Sequence, residues 1–340
     1  MAEKTTTELT SKDFASDQMV RWCPGCGDYA ILKAMQNAMP ILGRKKEDCV
    51  FIAGIGCSSR FPYYMDTYGF HTIHGRGPAI ATGLKMANPE LSVWQITGDG
   101  DGLSIGGNHF VHLMRRNIDL NIILFNNEIY GLTKGQYSPT SSQGLKTKSS
   151  PQGSIEVPFN PGELAMGAKS TFFARVPDTS PKLMTDIFVK AENHRGTSLV
   201  EILQNCVIFN DKVFGDITGK EVKDDAQIWL EHGQPMVFGK EKDKGIRLNG
   251  LKLEVVNLGE SGITEADLLV HDAMDPDPTL HMMLVRMERP NFPVAMGVIR
   301  QVKTSTYNDR IMDQIKETAA TSKYDSVDDL LNSGDTWTIN

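Results

Sequence analysis

No stretch of this 340-residue chain approaches the roughly 20 consecutive apolar residues that a membrane-spanning helix needs, so no membrane association is expected. The opening "MAEKTTTELTSKDF" lacks the apolar core of a secretory signal, which points to a cytoplasmic protein. Positive charge is in deficit. Lys and Arg number 35 against 42 Asp and Glu, a net charge of −7, which argues against general nucleic-acid binding. Cysteine is scarce: Cys23, Cys26, Cys49, Cys57 and Cys206 are too few to staple a chain this long. No internal repeat appears at periods of 20–50 residues. What remains is an ordinary globular composition, 40% hydrophobic and 23% charged, with enough length to bury a sizeable core.

The organisation reads in three parts: a polar, frayed tail over 1–19, a main domain over 20–210, and an extension over 211–340. In the main domain, short β-branched apolar runs alternate with helical stretches. "CVFIAGIG" (49–56), "LSVWQITG" (91–98), "LNIILFNN" (120–127), "STFFARV" (170–176) and "SLVEILQNC" (198–206) read as strands. "GPAIATGLKMA" (77–87), "SIGGNHFVHLMRR" (104–116) and "PKLMTDIFVKAENH" (181–194) read as the helices between them. This rhythm predicts an α/β fold, a doubly wound and mostly parallel sheet with helices on both faces. The run "GQYSPTSSQGLKTKSSPQGS" (135–154) is long and without periodicity, the mark of a functional loop. Beyond 210 the chain turns polar and turn-rich, and 211–340 reads as strands and helices draped over the main domain.

Two loops carry the first chemical signal. "GDGDGLSIGG" (98–107) and "NNEIYGLTKG" (126–135) each follow a predicted strand, with one helix between the strands. In a doubly wound sheet the carboxyl ends of adjacent parallel strands share a ligand crevice, so Asp99 and Asn127 are expected to face each other across it. A carboxylate, an amide oxygen and the backbone carbonyl of Ile129 are the hard ligands that Mg²⁺ prefers beside phosphate oxygens. The glycines of the first loop let backbone N–H groups approach a diphosphate. The pairing looks like the thiamine-diphosphate motif. Such enzymes also need a domain carrying a glutamate that activates the cofactor, and none is evident here, so the site is expected to be completed by another subunit.

The second signal is sulfur. "CPGC" (23–26) is a redox dithiol, half of a zinc site or half of an iron–sulfur site. Cys57 follows one strand and Cys206 ends another, on the same sheet edge as Asp99 and Asn127. Together with Cys23 and Cys26 they make four thiols, the number either a cubane or a zinc ion takes. Cys49 begins its strand at the opposite edge and reads as a core residue.

With these motifs in place, the chain resembles the β subunits of 2-oxoacid:ferredoxin oxidoreductases, most closely the 2-oxoglutarate type. "WCPGCGDYAIL", "GIGCSSRFPYY", "HTIHGRGPAIATGLK", "GDGDGLSIGGNHF" and "NNEIYGLTKGQ" carry the likeness, which is close over 20–140, reaches Cys206 and thins afterwards. The resemblance implies a 4Fe–4S cluster on Cys23, Cys26, Cys57 and Cys206, and Mg²⁺ on Asp99, Asn127 and Ile129. It places thiamine diphosphate contacts at Ile55, Gly56, Ser58, His74, Gly75, Gly100, Asp101, Gly131 and Leu132. It further implies an α subunit supplying the activating glutamate in an (αβ)₂ assembly, with 2-oxoglutarate and coenzyme A as substrates and ferredoxin as the electron acceptor. Arg60, three residues after Cys57, is a candidate for the distal carboxylate of 2-oxoglutarate, with Arg76 competing and Leu132 shaping the other wall. His109 and His112 are expected to pack or cap, and the Met-rich run 279–287 to be core. A pyruvate- or broad-specificity 2-oxoacid:ferredoxin oxidoreductase subunit, a non-redox thiamine enzyme with structural zinc, and a zinc-stabilised scaffold are the competing readings.

Overall fold

Five strands buried almost end to end form the centre of the molecule: β1 (Cys49–Ala53), β3 (Ser92–Gly98), β4 (Asn121–Asn126), β5 (Phe172–Pro177) and β6 (Ser198–Leu203). The structure, a computed structural model, describes residues 9–339. Strands covered on both faces need no polar alternation, which is why these segments read as apolar runs. With the exposed edge strand β2 (Tyr68–His71) and two later strands, β7 (Gln227–Leu230) and β11 (Val294–Gln301), they form an eight-stranded sheet of order β2-β1-β3-β4-β6-β5-β11-β7. All of its pairings are parallel except that between β5 and β11.

Alternate strand residues sort to opposite faces. Phe51, Ile123 and Phe125 join Ile31 and Met35 of α1 (Asp28–Leu42) and Phe188 of α5 (Pro181–Asn193) in one core. Ile52, Ile122 and Leu124 join Phe110, Leu113 and Met114 of α3 (Gly107–Arg116) and Ala81 of α2 (Gly77–Ala87) in the other. The short helix α4 (Pro161–Gly167), capped by the Asn160 side chain on the Gly162 amide at 2.9 Å, packs into this second face. The helix expected from 104 begins instead at Gly107. Asp101–Ile105 before it form an i→i+5 turn with a kink at Ser104, closed by Gly106 N–H donating to Asp101 O at 3.2 Å. Single π-turns of this kind concentrate at functional sites.

Two expectations need correction. Of the stretch 1–19 read as a frayed tail, residues 1–8 lie outside the described residues, but Phe14 is fully buried. Its carbonyl accepts from Asp66 N–H at 2.9 Å, and Ala15 bridges to Met65, because an aromatic this large finds a place against α1. The region 211–340 is also more than a drape. Its strands β7 (Gln227–Leu230) and β11 (Val294–Gln301) extend the main sheet, and β8 (Val237–Phe238), β9 (Lys244–Asn249) and β10 (Lys252–Asn257) form a separate antiparallel sheet. Among the described residues, no helix is long and apolar enough to cross a membrane.

One buried histidine makes the fold sensitive to acid. His194, at the end of α5, bonds Thr171 Oγ1 through Nε2 at 3.0 Å. Burial, opposed by Asp119 and helped by Lys303, pushes its pKa down to about 4. An unfolded histidine titrates near 6.5, so the unfolded chain takes up a proton that the folded chain refuses. Stability present above that pH therefore falls between about 6.5 and 4. Urea unfolding at pH 7 and pH 5 should show His194→Gln losing about 2 kcal/mol less than wild type on acidification. Parallel losses would refute this account.

Candidate cofactor and sulfur site

The carboxyl ends of β1, β3 and β4 open into a crevice. Its walls include Ile55, Gly56, Cys57 and Ser58 after β1, Gly98, Asp99, Gly100 and Asp101 after β3, and Asn127, Ile129, Gly131 and Leu132 after β4. His74, ahead of α2, and Asp28, the first residue of α1, complete it. The adjacency of β3 and β4, with Gly98 opposite Phe125, is what brings Asp99 and Asn127 together.

The Asp99 carboxyl is buried, and burial raises its pKa. Ser138 and Thr140 both donate to its Oδ2, at 2.5 and 2.7 Å. These hydroxyls come from the long Ser/Thr-rich loop, which therefore holds the carboxylate in one orientation. The Asn127 amide is fixed as well: Nδ2 donates to Gln204 Oε1 at 2.7 Å, and Oδ1 accepts from Ile129 N–H at 3.2 Å. The hydroxyl donors are gathered on Oδ2 of Asp99, and Asn127 lines the same crevice. One carboxylate, one amide oxygen and a carbonyl are a donor set that fits Mg²⁺.

Glycine makes the floor of the crevice. A Cβ on Gly100 would strike the ring of Tyr130, whose hydroxyl donates to Gly100 O at 3.0 Å. A Cβ on Gly98 would lie 3.5 Å from Ser58 Oγ. A Cβ on Gly131 would lie 3.5 Å from Cys57 Sγ and 3.6 Å from Cys206 Sγ. At Gly131 the crevice wall therefore carries no side chain on the side facing Cys206, while Cys57 itself lines the crevice.

Cys57 belongs to the crevice wall, and Cys23, Cys26 and Cys206 stand near enough that the four sulfurs bear on one another's charge. The Cys23–Cys26 turn is closed by Cys26 N–H to Cys23 O at 3.0 Å, and Cys26 Sγ accepts from Gln204 Nε2 at 3.3 Å. Burial, then the Asp28 carboxylate, pushes the Cys26 thiol upward, and the same two causes, joined by Cys206 and Cys23, push Cys57 up to about 12. Metal binding at thiols so placed would release their protons, since the ligand is the thiolate. Among the described residues, no three His, Cys, Asp or Glu side chains stand close enough to share one metal ion. Cys49 lies apart at the start of β1, fully buried, donating to Lys45 O at 3.3 Å.

Three of the expected contacts sit differently from the rest. Arg60 does not line the crevice; it lies behind Cys57, its N–H donating to Cys57 O at 3.2 Å, and its charge acts on Cys57 and His71. Gly75 is buried behind the wall, its N–H already given to Asp101 at 2.7 Å. Asp101 lines the crevice, yet its carboxylate is saturated by protein donors, so it has no free oxygen for a ligand. Asp28 was not anticipated. Burial pushes its carboxyl up to about 7, and its Oδ2 has no hydrogen-bond partner. In the sequence it reads as an ordinary acidic residue opening a helix; its place directly after "CPGCG" was the available signal.

A diphosphate-sized crevice walled by glycine at the carboxyl edge of a parallel sheet, with a fixed aspartate and asparagine pair, defines a thiamine-diphosphate enzyme domain. Residues 54–202 match the family described as thiamine pyrophosphate enzyme, C-terminal TPP binding domain. Over 331 residues the chain is 51% identical to the 2-oxoglutarate oxidoreductase subunit KorB of Mycobacterium tuberculosis, covering 96% of this chain and 88% of that one. It is 48% identical over 190 residues to the β subunit of 2-oxoacid:ferredoxin oxidoreductase 1 of Aeropyrum pernix, 56% of this chain and 60% of that relative. A solved 2-oxoglutarate:ferredoxin oxidoreductase from Magnetococcus marinus, with 2-oxoglutarate, coenzyme A and succinyl-CoA bound, matches with a TM-score of 0.77 and 30% identity over 98% of both chains. The chain belongs to the β subunits of the 2-oxoacid:ferredoxin oxidoreductases.

Proposed function

We propose that this chain is the β subunit of a 2-oxoglutarate:ferredoxin oxidoreductase, converting 2-oxoglutarate and coenzyme A to succinyl-CoA and CO₂ with electrons passed to ferredoxin. The observation that carries this reading is that Cys57 lines the crevice and that the side-chain-free Gly131, also on its wall, borders both Cys57 and Cys206. Thiamine diphosphate, when bound, supplies the carbanion that attacks the keto carbon and lets CO₂ leave. Asp99, Asn127 and the Ile129 carbonyl would hold the Mg²⁺ that tethers its diphosphate. Gly98, Gly100 and Gly131 keep room for it, and Ile55, Gly56, Ser58, His74 and Leu132 line its flanks. Cys23, Cys26, Cys57 and Cys206 would hold a 4Fe–4S cluster. A spread of thiols that no single ion gathers suits a cluster of several irons better than one zinc. An α subunit would close the crevice and bring the activating glutamate, for which the exposed Ile55, Ile73, Ile105 and Leu132 around the mouth are a fitting apolar rim.

The test is co-expression with the adjoining α subunit, anaerobic purification, and assay of coenzyme A-dependent ferredoxin reduction with several 2-oxoacids. 2-Oxoglutarate should give the highest kcat/KM; equal turnover of pyruvate would withdraw the substrate assignment. We assign Arg60 the distal carboxylate although it stands outside the crevice lining: its charge reaches Cys57 on the wall, so it would meet the end of a substrate that extends past the cofactor. A charge-assisted pair is worth about 1.5–3 kcal/mol, so Arg60→Ala should raise KM for 2-oxoglutarate at least about tenfold and leave pyruvate nearly unchanged. Equal effects on both would remove Arg60 from recognition.

A further inference from the structure

Asp101 is the most heavily bonded carboxylate of the site. It is 3% exposed, and its Oδ1 accepts from Ile55 N–H at 3.0 Å and Gly75 N–H at 2.7 Å, with His74 Nδ1 at 2.6 Å from the same oxygen. Its Oδ2 accepts from Thr97 Oγ1 at 2.7 Å. These partners come from three places: the loop after β1, the turn before α2, and the end of β3 itself. The backbone is shaped around the carboxylate. A Cβ on Gly54 would collide with it, and Gly75 holds a left-handed φ of 67° that presents its N–H. A group this deeply engaged does not bind a diphosphate, whose own negative charge it would repel.

We propose that Asp101 is the positioning residue of the site: it fastens the loops carrying Ile55 and His74 to the GDGD turn and fixes the tautomer of His74. A carboxylate only accepts hydrogen bonds, so the 2.6 Å contact requires the proton of the neutral ring to sit on Nδ1. That leaves Nε2 bare. His74 lines the crevice, and its ring meets Tyr130 edge-on at 6.4 Å. Bound molecules in the crevice therefore meet an acceptor nitrogen, able to take a hydrogen bond or a proton, held at a fixed place. In water the imidazole prefers the opposite tautomer, so Asp101 selects the rarer form. The consequence for ligand binding rests on the thiamine diphosphate reading; the tautomer does not.

Two measurements test this. In the full chain labelled with ¹⁵N-histidine, His74 (assigned by loss of its signal in His74→Gln) should show a protonated Nδ1 and a bare Nε2 at pH 8. Asp101→Ala should return it to the Nε2-protonated form, a change that a merely structural carboxylate would not produce. In the αβ complex, thiamine diphosphate with Mg²⁺ should bind Asp101→Ala at least tenfold more weakly than wild type. Asp101→Asn, whose amide oxygen can still accept from the loop amides, should recover most of that loss and serves if the alanine variant fails to fold. A wild-type His74 protonated on Nε2, or unchanged binding by a folded Asp101→Ala, would overturn the proposal. If wild type itself fails to bind thiamine diphosphate, the crevice reading falls, while the tautomer measurement still decides the role of Asp101.

Discussion

Cys206→Ser, purified anaerobically with its α partner, should come off the column without the brown colour and broad absorption near about 400 nm of a 4Fe–4S protein. Iron should fall well below four atoms per chain, and coenzyme A-dependent ferredoxin reduction should drop by at least about 100-fold, since even outer-shell losses at metal sites cost 10–100-fold. The argument is geometric. Cys206 Sγ and Cys57 Sγ both border the position of Gly131, and Cys206 is held by its pairing with Asn210 just beyond β6. A serine keeps the volume but replaces a soft sulfur with a hard oxygen. Cys49→Ser is the control. Its sulfur is buried at the far end of β1, so that variant should keep full iron and full electron transfer. Full activity in Cys206→Ser, or a colourless wild type with one zinc per chain, would end the cluster assignment.

Asp99→Asn should separate stability from function. In the apo chain a buried carboxylate is a cost: burial raises its folded pKa above the unfolded value, so at neutral pH the charged form opposes folding. An amide of the same shape removes that cost, and its oxygen can still accept from Ser138 and Thr140. The apo melting temperature should therefore rise by a few degrees, with about 1 kcal/mol worth about 2–4 °C in a chain of this size. The same change removes the anionic Mg²⁺ ligand. Wild type should be further stabilised by thiamine diphosphate with Mg²⁺, and the variant should not, with kcat/KM falling more than about 100-fold. A variant that melts lower and still responds to the cofactor would contradict both halves.

The parts legible in the sequence were those where burial and function coincide. Strands β1, β3, β4 and β6 are covered on both faces and so announced themselves as apolar runs, and the single helix between β3 and β4 placed those two side by side. The crevice could be placed because Asp99 and Asn127 each end such a strand. Positions β7 and β11 were hidden because they follow a long polar excursion and join the sheet through an antiparallel pairing, which no local pattern signals. Asp101 was legible only in part. A carboxylate inside a glycine loop looks like a ligand, and only the converging amides of Ile55 and Gly75 reveal that it serves the protein itself. Ser138 and Thr140 were visible only as loop composition, and Phe14 sat in a stretch whose polarity masked one anchoring ring.

The bare backbone at Gly131 also bears on the enzyme's pace. Tunnelling falls off exponentially with separation, and Gly131 is a turn residue without a side chain whose Cβ position would lie 3.5 Å from Cys57 Sγ and 3.6 Å from Cys206 Sγ. With a cluster seated on those sulfurs, a glycine at this position would keep the path between cluster and crevice short. Bulk installed there, as in Gly131→Val, would press on Cys57 and Cys206 and slow the transfer by lengthening that path.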